Sequence, residues 1–167
     1  LFPGGFGTHD EGFEILTLAQ TGKSDPQPIV CLQAPGCDYW DDWSAFIVKQ
    51  LLKRRLINEE DLSLFKVVNS AEAAVEEIST FYRRYHSIRF VGKLMAMRLK
   101  SPISAEQLEQ IQARFGDLLS EGRFELRTAL EEELDEPAIA SLPRLIFPFN
   151  RRSAGRLRQL IDHVNHL

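Results

Sequence analysis

A glycine-rich motif, Pro3-Gly4-Gly5-Phe6-Gly7-Thr8-His9-Asp10-Glu11, precedes an apolar helical pattern near the start of the sequence. Glycine lets the backbone approach an anion closely and adopt a positive φ. The N-terminus of the following helix offers free N–H groups and the positive end of its dipole. The hydroxyl of Thr8 is a further donor. The stretch is therefore typical of a phosphate-binding loop that leads from a strand into a helix.

Glu11 has two interpretations that the spacing alone leaves open. Thr8 and Glu11 stand three residues apart, as in a T-x-x-E capping box, which predicts a helix capped by Thr8. Alternatively, Glu11 lies one turn into the helix, close to a bound phosphate. Because phosphate repels a carboxylate, Glu11 would then face the group to which the phosphate is attached, such as a ribose hydroxyl, or an attacking water.

Short apolar strands alternate with helices in the first half of the chain. Leu1-Phe2 has the pattern of the end of a buried strand, and because the chain begins there without Met, we expect it to be a fragment. Residues 29–32 are a continuous apolar run, as buried parallel strands show, and residues 65–68 are predicted to form another short strand. One helix is predicted over 41–56. A second helix is predicted after Asn69, which would cap it. This α/β alternation predicts a parallel sheet with crossover helices.

The pattern changes near residue 86. Strands are predicted over 88–91 and 94–99, with Gly92-Lys93 between them, and over 124–126 and 145–147. Ser104 and Ser153 each begin a helix, and residues 131–137 form an acidic loop. This order is β-β-α-β-β-α. The sequence therefore predicts a small α+β domain over 87–167, following a partial Rossmann-like domain over 1–86.

The motif fits the pattern P-G-G-x-G-T-x-x-E, which resembles the signature of the LOG family, enzymes similar to cytokinin riboside 5′-monophosphate phosphoribohydrolases. The resemblance continues through the strand 29–32, through Tyr39-Trp40-Asp41-Asp42-Trp43 leading into a helix, and through 65–73. It covers residues 1 to about 84, half of the chain. It implies the C-terminal half of a Rossmann-like nucleotide-binding sheet.

The resemblance also implies a reaction and its residues. Gly4, Gly5, Gly7 and Thr8 would hold a 5′-phosphate, and Glu11 would take part in cleaving the N-glycosidic bond. The implied reaction hydrolyses an AMP-like nucleoside 5′-monophosphate to free base and ribose 5-phosphate. The family also uses an Arg upstream of the motif. We expect this chain to lack that Arg and to be inactive by itself.

The family resemblance further implies a homodimer, and it raises the question of whether a cofactor is used. The helix carrying Trp43, Phe46 and Ile47 is a candidate interface, although these side chains also fit core packing. Some relatives carry the label "lysine decarboxylase". A pyridoxal-phosphate enzyme needs a Schiff-base lysine, and no feature marks a lysine for that role, so we predict no cofactor. The alternative function is a nucleotide carrier or sensor without catalysis, which the extra domain favours.

Composition limits the remaining function classes. A formal net charge of −4 gives no general attraction to nucleic acid or anionic membranes. No apolar run approaches the about 20 residues needed to cross a bilayer. Cys31 and Cys37 are too few for a disulfide scaffold, which favours a reducing cytoplasm, and they lack a His at metal-ligand spacing, so no metal site is predicted.

Several weaker signals have plain structural interpretations. Cys31 fits a strand core, as do Met95 and Met97, and His9 fits an exposed side chain in the first turn. Two basic clusters are compatible with phosphate or RNA binding, but such clusters are usually solvated helix faces. Their members are Lys53, Arg54, Arg55, Arg151, Arg152, Arg156 and Arg158.

Overall fold

In the computed structural model the chain folds into two compact units, and residues 1–133 and 135–167 are described. Unit 1 comprises Leu1–Thr80 and Ser153–Gln159, and unit 2 comprises Phe81–Arg152 and Leu160–Leu167. The break after Thr80 precedes the predicted boundary near residue 86. The return of 153–159 to unit 1 has no counterpart in the sequence pattern. None of the helices in the described ranges is long and apolar enough to span a membrane.

Unit 1 alternates helices with two parallel strands. Its elements are α1 (Phe6–Gln20), β1 (Ile29–Leu32), α2 (Tyr39–Phe46), a π-helical segment (Ile47–Leu52), a 3₁₀ helix (Glu59–Leu64), β2 (Phe65–Val68) and α3 (Ala71–Phe81). The two strands pair in parallel, with Cys31 opposite Val67. The mixed α/β class and both predicted strands of this half are thereby confirmed.

Leu1 is bonded to β1 as a parallel neighbour would be. Its amino group donates to the carbonyl of Val30 at 2.7 Å, and the N–H of Leu32 donates to the carbonyl of Leu1 at 2.9 Å. The next N–H along the chain, that of Gln33 directly after β1, donates to the carbonyl of Val68 in β2. Successive N–H groups of a strand point to opposite sides, so Leu1 lies on the side of β1 away from β2. Phe2, by contrast, is 69% exposed.

Two predicted helix caps are wrong. Helix α1 begins at Phe6 with Gly5 as its N-cap, and the N–H of Thr8 already donates to Gly5 O at 3.1 Å, so Thr8 and Glu11 form no capping box. Helix α3 is capped by Ser70, whose hydroxyl accepts the N–H of Ala73 at 3.1 Å. Gly5 has the extended backbone geometry of an N-cap, so α1 starts before Thr8. At α3 the hydroxyl of Ser70, one residue after Asn69, makes the capping bond.

The helix predicted over 41–56 differs in both its start and its form. It begins earlier, at Tyr39, and α2 gives way to the π-helical segment at Ile47. A π-helix inserts an extra residue into the turn and changes which side chains face the core. Here Trp43 and Ile47 are buried while Phe46 is 48% exposed. The core interpretation of Trp43 and Ile47 is confirmed.

The core of unit 1 forms around aromatic side chains that meet edge to face. Trp40 and Trp43 have ring centroids 5.4 Å apart at an interplanar angle of 90°, an arrangement that aromatic quadrupoles favour. Cys31 is fully buried beside them, as predicted for a strand core residue. Burial raises the pKa of its thiol to about 11, so the thiol is protonated at neutral pH.

The first half of helix α5 (Ala154–His166) packs within unit 1 through a glycine and an ion pair. A Cβ built on Gly155 would lie 2.2 Å from the carbonyl oxygen of Glu60, so only glycine permits this approach. Arg158 is buried and donates to Glu77 at 2.7 Å, and Lys66 contacts the same carboxylate. The expectation that Arg158 belongs to a solvated helix face is therefore wrong.

Unit 2 is a four-stranded antiparallel sheet with helices, in the predicted β-β-α-β-β-α order. Its elements are β3 (Tyr85–Val91), β4 (Leu94–Leu99), α4 (Ala105–Phe115), β5 (Glu125–Arg127), β6 (Arg144–Pro148) and the second half of α5. The spatial order is β3-β4-β6-β5. Met95 and Met97 are fully buried, which confirms them as core residues.

A buried ion network joins β4 and β6 of unit 2. Arg98 and Arg144 are directly opposite each other across the strand pair, where two like charges repel. Glu133 is fully buried and accepts from Arg98 at 2.8 Å and from Arg144 at 3.3 Å. This carboxylate comes from the predicted acidic loop, which contains short 3₁₀ turns. Leu134 of that loop lies outside the described residues.

Gly155→Ala is expected to destabilise unit 1 by about 1–3 kcal/mol, because the added methyl group overlaps backbone atoms of Glu60. Gly12→Ala is the matched control: it is also inside a helix, and its Cβ would meet only Leu1 at an ordinary 3.5 Å. That control should be neutral or gain about 0.5–1 kcal/mol from helix propensity. Urea unfolding measures both, and equal free energies of unfolding for the two variants would contradict the close approach.

Glu133→Gln is expected to destabilise unit 2 by about 3–5 kcal/mol, since it leaves buried Arg144 without a carboxylate and Arg98 with only its contact to Glu136. Burial by itself raises the pKa of Glu133, but hydrogen bonds from the Leu130 N–H, Arg98 and Arg144 outweigh it and hold the pKa below its ordinary value. A lowered native pKa stabilises the fold above the unfolded pKa of about 4.3, and this contribution is lost as the pH falls through the native pKa.

The measurement is urea unfolding at several pH values between neutrality and pH about 3, a range set by the unfolded pKa. The wild type should lose stability with acidification more steeply than Glu133→Gln does. Glu132→Gln, an exposed neighbour, is the control and should match the wild type. Parallel pH profiles for the wild type and Glu133→Gln would show that the network has no such role.

Candidate functional site

The glycine-rich loop leads directly from the Leu1 pairing into the first turn of α1. Leu1 runs parallel to β1, so the loop follows the carboxyl edge of the sheet, where open α/β sheets bind ligands. Gly5 has no side chain with which to cap the helix, and Gly4, Gly5 and Gly7 are exposed. The N–H groups of Phe6 and Gly7 therefore receive no side-chain cap, whereas that of Thr8 donates to the carbonyl of Gly5.

Gly4 and Thr8 are packed closely within this loop. A Cβ on Gly4 would lie 2.1 Å from Oγ1 of Thr8 and 3.0 Å from its Cβ. Any side chain at position 4 would therefore displace the threonine hydroxyl. The glycine at this position keeps the hydroxyl of Thr8 beside the loop backbone, which is where a further donor to an anion is needed.

Tyr39 ties the loop to the start of α2. Its hydroxyl donates to the carbonyl of Gly4 at 2.6 Å and lies 2.9 Å from Nε2 of His9. A carbonyl can only accept, so the single phenolic proton goes to Gly4 and Nε2 of His9 carries the proton that it donates to Tyr39. The two rings also stack, with centroids 5.7 Å apart. His9 is half-buried, so the prediction of a free, exposed side chain is wrong.

Gln33 fixes the carboxyl ends of both strands. It is 2% exposed and directly follows β1. Its side-chain oxygen accepts the N–H of Trp40 at 2.6 Å, and its amide nitrogen donates to Asp41 at 2.6 Å and to Asn69 at 3.2 Å. One buried amide thus joins the start of α2 to the residue that follows β2.

Glu11 lies in the second turn of α1 and is exposed. Residues three and four apart share one face of a helix, so Glu11 lies on the same face as Thr8 and Gly7. The carboxylate of Glu11 therefore stands one turn beyond the N–H groups at the start of α1. The arrangement suits a ligand that presents an anion to the loop and a polar, uncharged portion farther along the helix.

The sequence reveals the loop but not the residues that hold it. Tyr39 stands out in the sequence only as part of a family-like stretch, and Gln33 does not stand out at all. The available signal is position, because polar and aromatic residues that follow parallel strands meet at one sheet edge. Asn69 is another of these polar residues at the sheet edge. It is a hydrogen-bond partner of Gln33 and not a helix cap.

Comparison with known families supports the first-half resemblance. Residues 1–78 match the family model described as "Possible lysine decarboxylase". This match supports the similarity to the LOG family. No curated protein is significantly similar to the chain in sequence.

The residues of unit 1 do not fit the pyridoxal-phosphate chemistry that a lysine decarboxylase of this kind would use. Such an enzyme needs a lysine held against the cofactor within a phosphate site. All lysines of unit 1 are exposed, and Lys23 follows the opposite end of α1 from the loop. Lys49 and Lys53 lie in or just after the π-helical segment, and Lys66 pairs with Glu77. Unit 1 therefore offers no lysine beside the glycine loop that could form the Schiff base.

Tyr39→Phe is expected to loosen the loop, because it removes the hydrogen bonds to Gly4 and His9 and leaves the stacked ring. A net loss of about 0.5–1.5 kcal/mol for each of the two hydrogen bonds predicts roughly five- to 150-fold faster amide exchange over residues 5–9. Hydrogen exchange followed by mass spectrometry measures this rate. Tyr82→Phe, at a partly exposed ring, is the control. Unchanged loop exchange in Tyr39→Phe would show that the hydroxyl does not hold the loop.

Proposed function

We propose that the protein hydrolyses the N-glycosidic bond of a nucleoside 5′-monophosphate and releases free base and ribose 5-phosphate. The observation that carries the proposal is the uncapped N-terminus of α1 at the carboxyl edge of a parallel sheet, with Glu11 one turn beyond it. The family match over residues 1–78 supports the same interpretation. An AMP-like substrate, a homodimer and a cytoplasmic location belong to this proposal.

The phosphate would bind to the loop formed by Gly4, Gly5, Gly7 and Thr8. Backbone N–H groups at a helix start complement a dianion through both hydrogen bonds and the helix dipole. The tie between Tyr39 and Gly4 fixes the loop before the ligand arrives. A preformed loop loses less conformational entropy on binding, which improves affinity and orientation.

The ribose would extend from the phosphate along α1 toward Glu11. Cleavage of an N-glycosidic bond passes through a transition state with positive charge on the ribose ring. The carboxylate of Glu11 would stabilise that charge, or would orient the attacking water on the anomeric carbon. Either role places catalysis on one residue, while the glycines and Thr8 serve binding.

The second candidate function is a carrier or sensor that binds a nucleotide without cleaving it. The observation in its favour is that unit 2 is a compact folded body of its own, in which the sequence shows no catalytic motif. A carrier needs the anion loop but has no requirement for a carboxylate at position 11. Turnover therefore separates the two candidates.

Glu11→Gln is expected to lower the rate of base release by about 10²–10⁴-fold, the usual contribution of a positioned acid–base group. Phosphate binding should persist, since the loop is unchanged. The assay incubates the protein with AMP, GMP, CMP and UMP and follows free base by chromatography. Binding is followed by thermal shift.

Asp10→Asn is the matched control, because it removes one exposed carboxylate from the adjacent position of the same helix. It should retain wild-type turnover. Normal base release by Glu11→Gln would contradict the catalytic role of Glu11. Binding without release from any nucleotide by the wild type would favour the carrier or sensor.

A further inference from the structure

Unit 2 contains an open pocket to which no residue of the glycine loop contributes. Its volume is about 480 Å³, which lies in the usual range for small-molecule sites. Three connections contribute to it: the β3–β4 turn, the segment after the 3₁₀ turn that follows α4, and the segment after β6. The lining residues are Gly92, Lys93, Ser120, Glu121, Phe149 and Arg151.

Backbone hydrogen bonds fix two of these connections against each other. The N–H of Ser120 donates to Pro148 O at 2.8 Å, and the N–H of Asn150 donates to Leu118 O at 2.9 Å. Leu119 and Phe149 form an antiparallel bridge between them. The pocket wall is therefore an extension of the sheet, with a defined geometry before any ligand binds.

Arg151 is held in an unusual conformation at the edge of the pocket. Its φ is 58°, in the left-handed region that few residues other than glycine adopt. The side chain of Asn150 stabilises this turn by accepting the N–H of Arg152 at 2.9 Å and donating to Asp117 O at 2.7 Å. Strained residues of this kind concentrate at functional sites.

The guanidinium of Arg151 is stacked and still available. It lies 4.3 Å from the centroid of the Phe90 ring, which orients its plane through a cation–π contact. Neither Arg151 nor Lys93 forms an ion pair with a carboxylate within residues 1–133 and 135–167. Two cations thus face the same space, and the donor edge of the guanidinium is free for an anion.

We infer that this pocket binds a mononucleotide-like ligand, a small organic phosphate that carries a planar ring. The guanidinium fork of Arg151 and the ammonium of Lys93 match a phosphate monoester. Phe149 lines the pocket and stacks with Phe90 at 6.5 Å between ring centroids, so this aromatic pair gives the base an apolar wall to pack against. The carboxylate of Glu121 accepts from hydroxyl or amino groups and disfavours a second highly charged anion in the same place.

This site is distinct in its residues from the proposed catalytic loop and does not rest on the proposed function. The loop lies in residues 3–11 of unit 1, whereas every lining residue of the pocket lies in unit 2. A protein without any hydrolase activity would still have this pocket. Residue-specific detection therefore keeps the two sites apart in one experiment.

The test is an amide NMR titration of the 167-residue chain with AMP, ribose 5-phosphate and inorganic phosphate. AMP should saturably shift the amide signals of Gly92, Lys93 and Ser120, and should bind more tightly than the other two probes. Lys93→Met and Arg151→Asn should each weaken that affinity at least tenfold. Asn is chosen because it tolerates a positive φ, so the turn is kept.

Arg152→Met is the matched control, since it removes the same charge from the adjacent, exposed position outside the pocket lining. It should leave the affinity for AMP unchanged. An equal loss in Arg152→Met and Arg151→Asn would reduce the effect to general surface charge and overturn the site. The absence of saturable shifts at Gly92, Lys93 and Ser120, or equal affinities for AMP and ribose 5-phosphate, would overturn the assignment of the ligand.

Discussion

The architecture of unit 1 depends on satisfying buried polar groups where its two parallel strands end. A buried amide without hydrogen bonds is costly, and Gln33 is 2% exposed at that position. Its bonds to Trp40, Asp41 and Asn69 determine where α2 starts and how the chain leaves β2. Because α2 starts there, Tyr39 lies within reach of Gly4 and His9. The candidate phosphate loop is thus tied through Tyr39 to a helix start that one buried side chain holds in place.

In unit 2 the buried polar groups that need partners are charged, and they are satisfied by ion pairs. Arg98 and Arg144 face each other on adjacent strands, and the repulsion between them would disfavour that register if both were buried alone. Glu133 removes the conflict by accepting from both, while Glu136 also contacts Arg98. The acidic loop is therefore a structural component of the sheet. Its carboxylates neutralise the buried arginines and hold them in place.

Local patterns predicted most elements of this fold, and long-range contacts account for the failures. The strands 29–32, 65–68 and 94–99 are visible in the sequence as short strand-like runs, and Ser104 acts as the expected cap. The return of α5 to unit 1 depends on the meeting of Gly155 with Glu60, which are far apart in sequence. The burial of Arg158 and Glu133 likewise needs partners that no local window contains. At the site, glycines and Thr8 are visible in the motif, but Tyr39 and Gln33 gain their roles only through the tertiary fold.

The glycine loop is useful for binding any phosphate, whereas the carboxylate of Glu11 is not. This difference helps to distinguish a catalytic site from a binding site. Anchoring by Tyr39 and the packing of Thr8 on Gly4 serve any phosphate ligand, so they are neutral between an enzyme and a carrier. A carboxylate on the same helix face is unfavourable for anion binding, because it lowers the positive potential of the N-terminus. Its presence at position 11 is explained if the ligand's uncharged ribose lies beside it and develops positive charge during reaction. The enzyme is therefore the better physical account of why the loop carries Glu11.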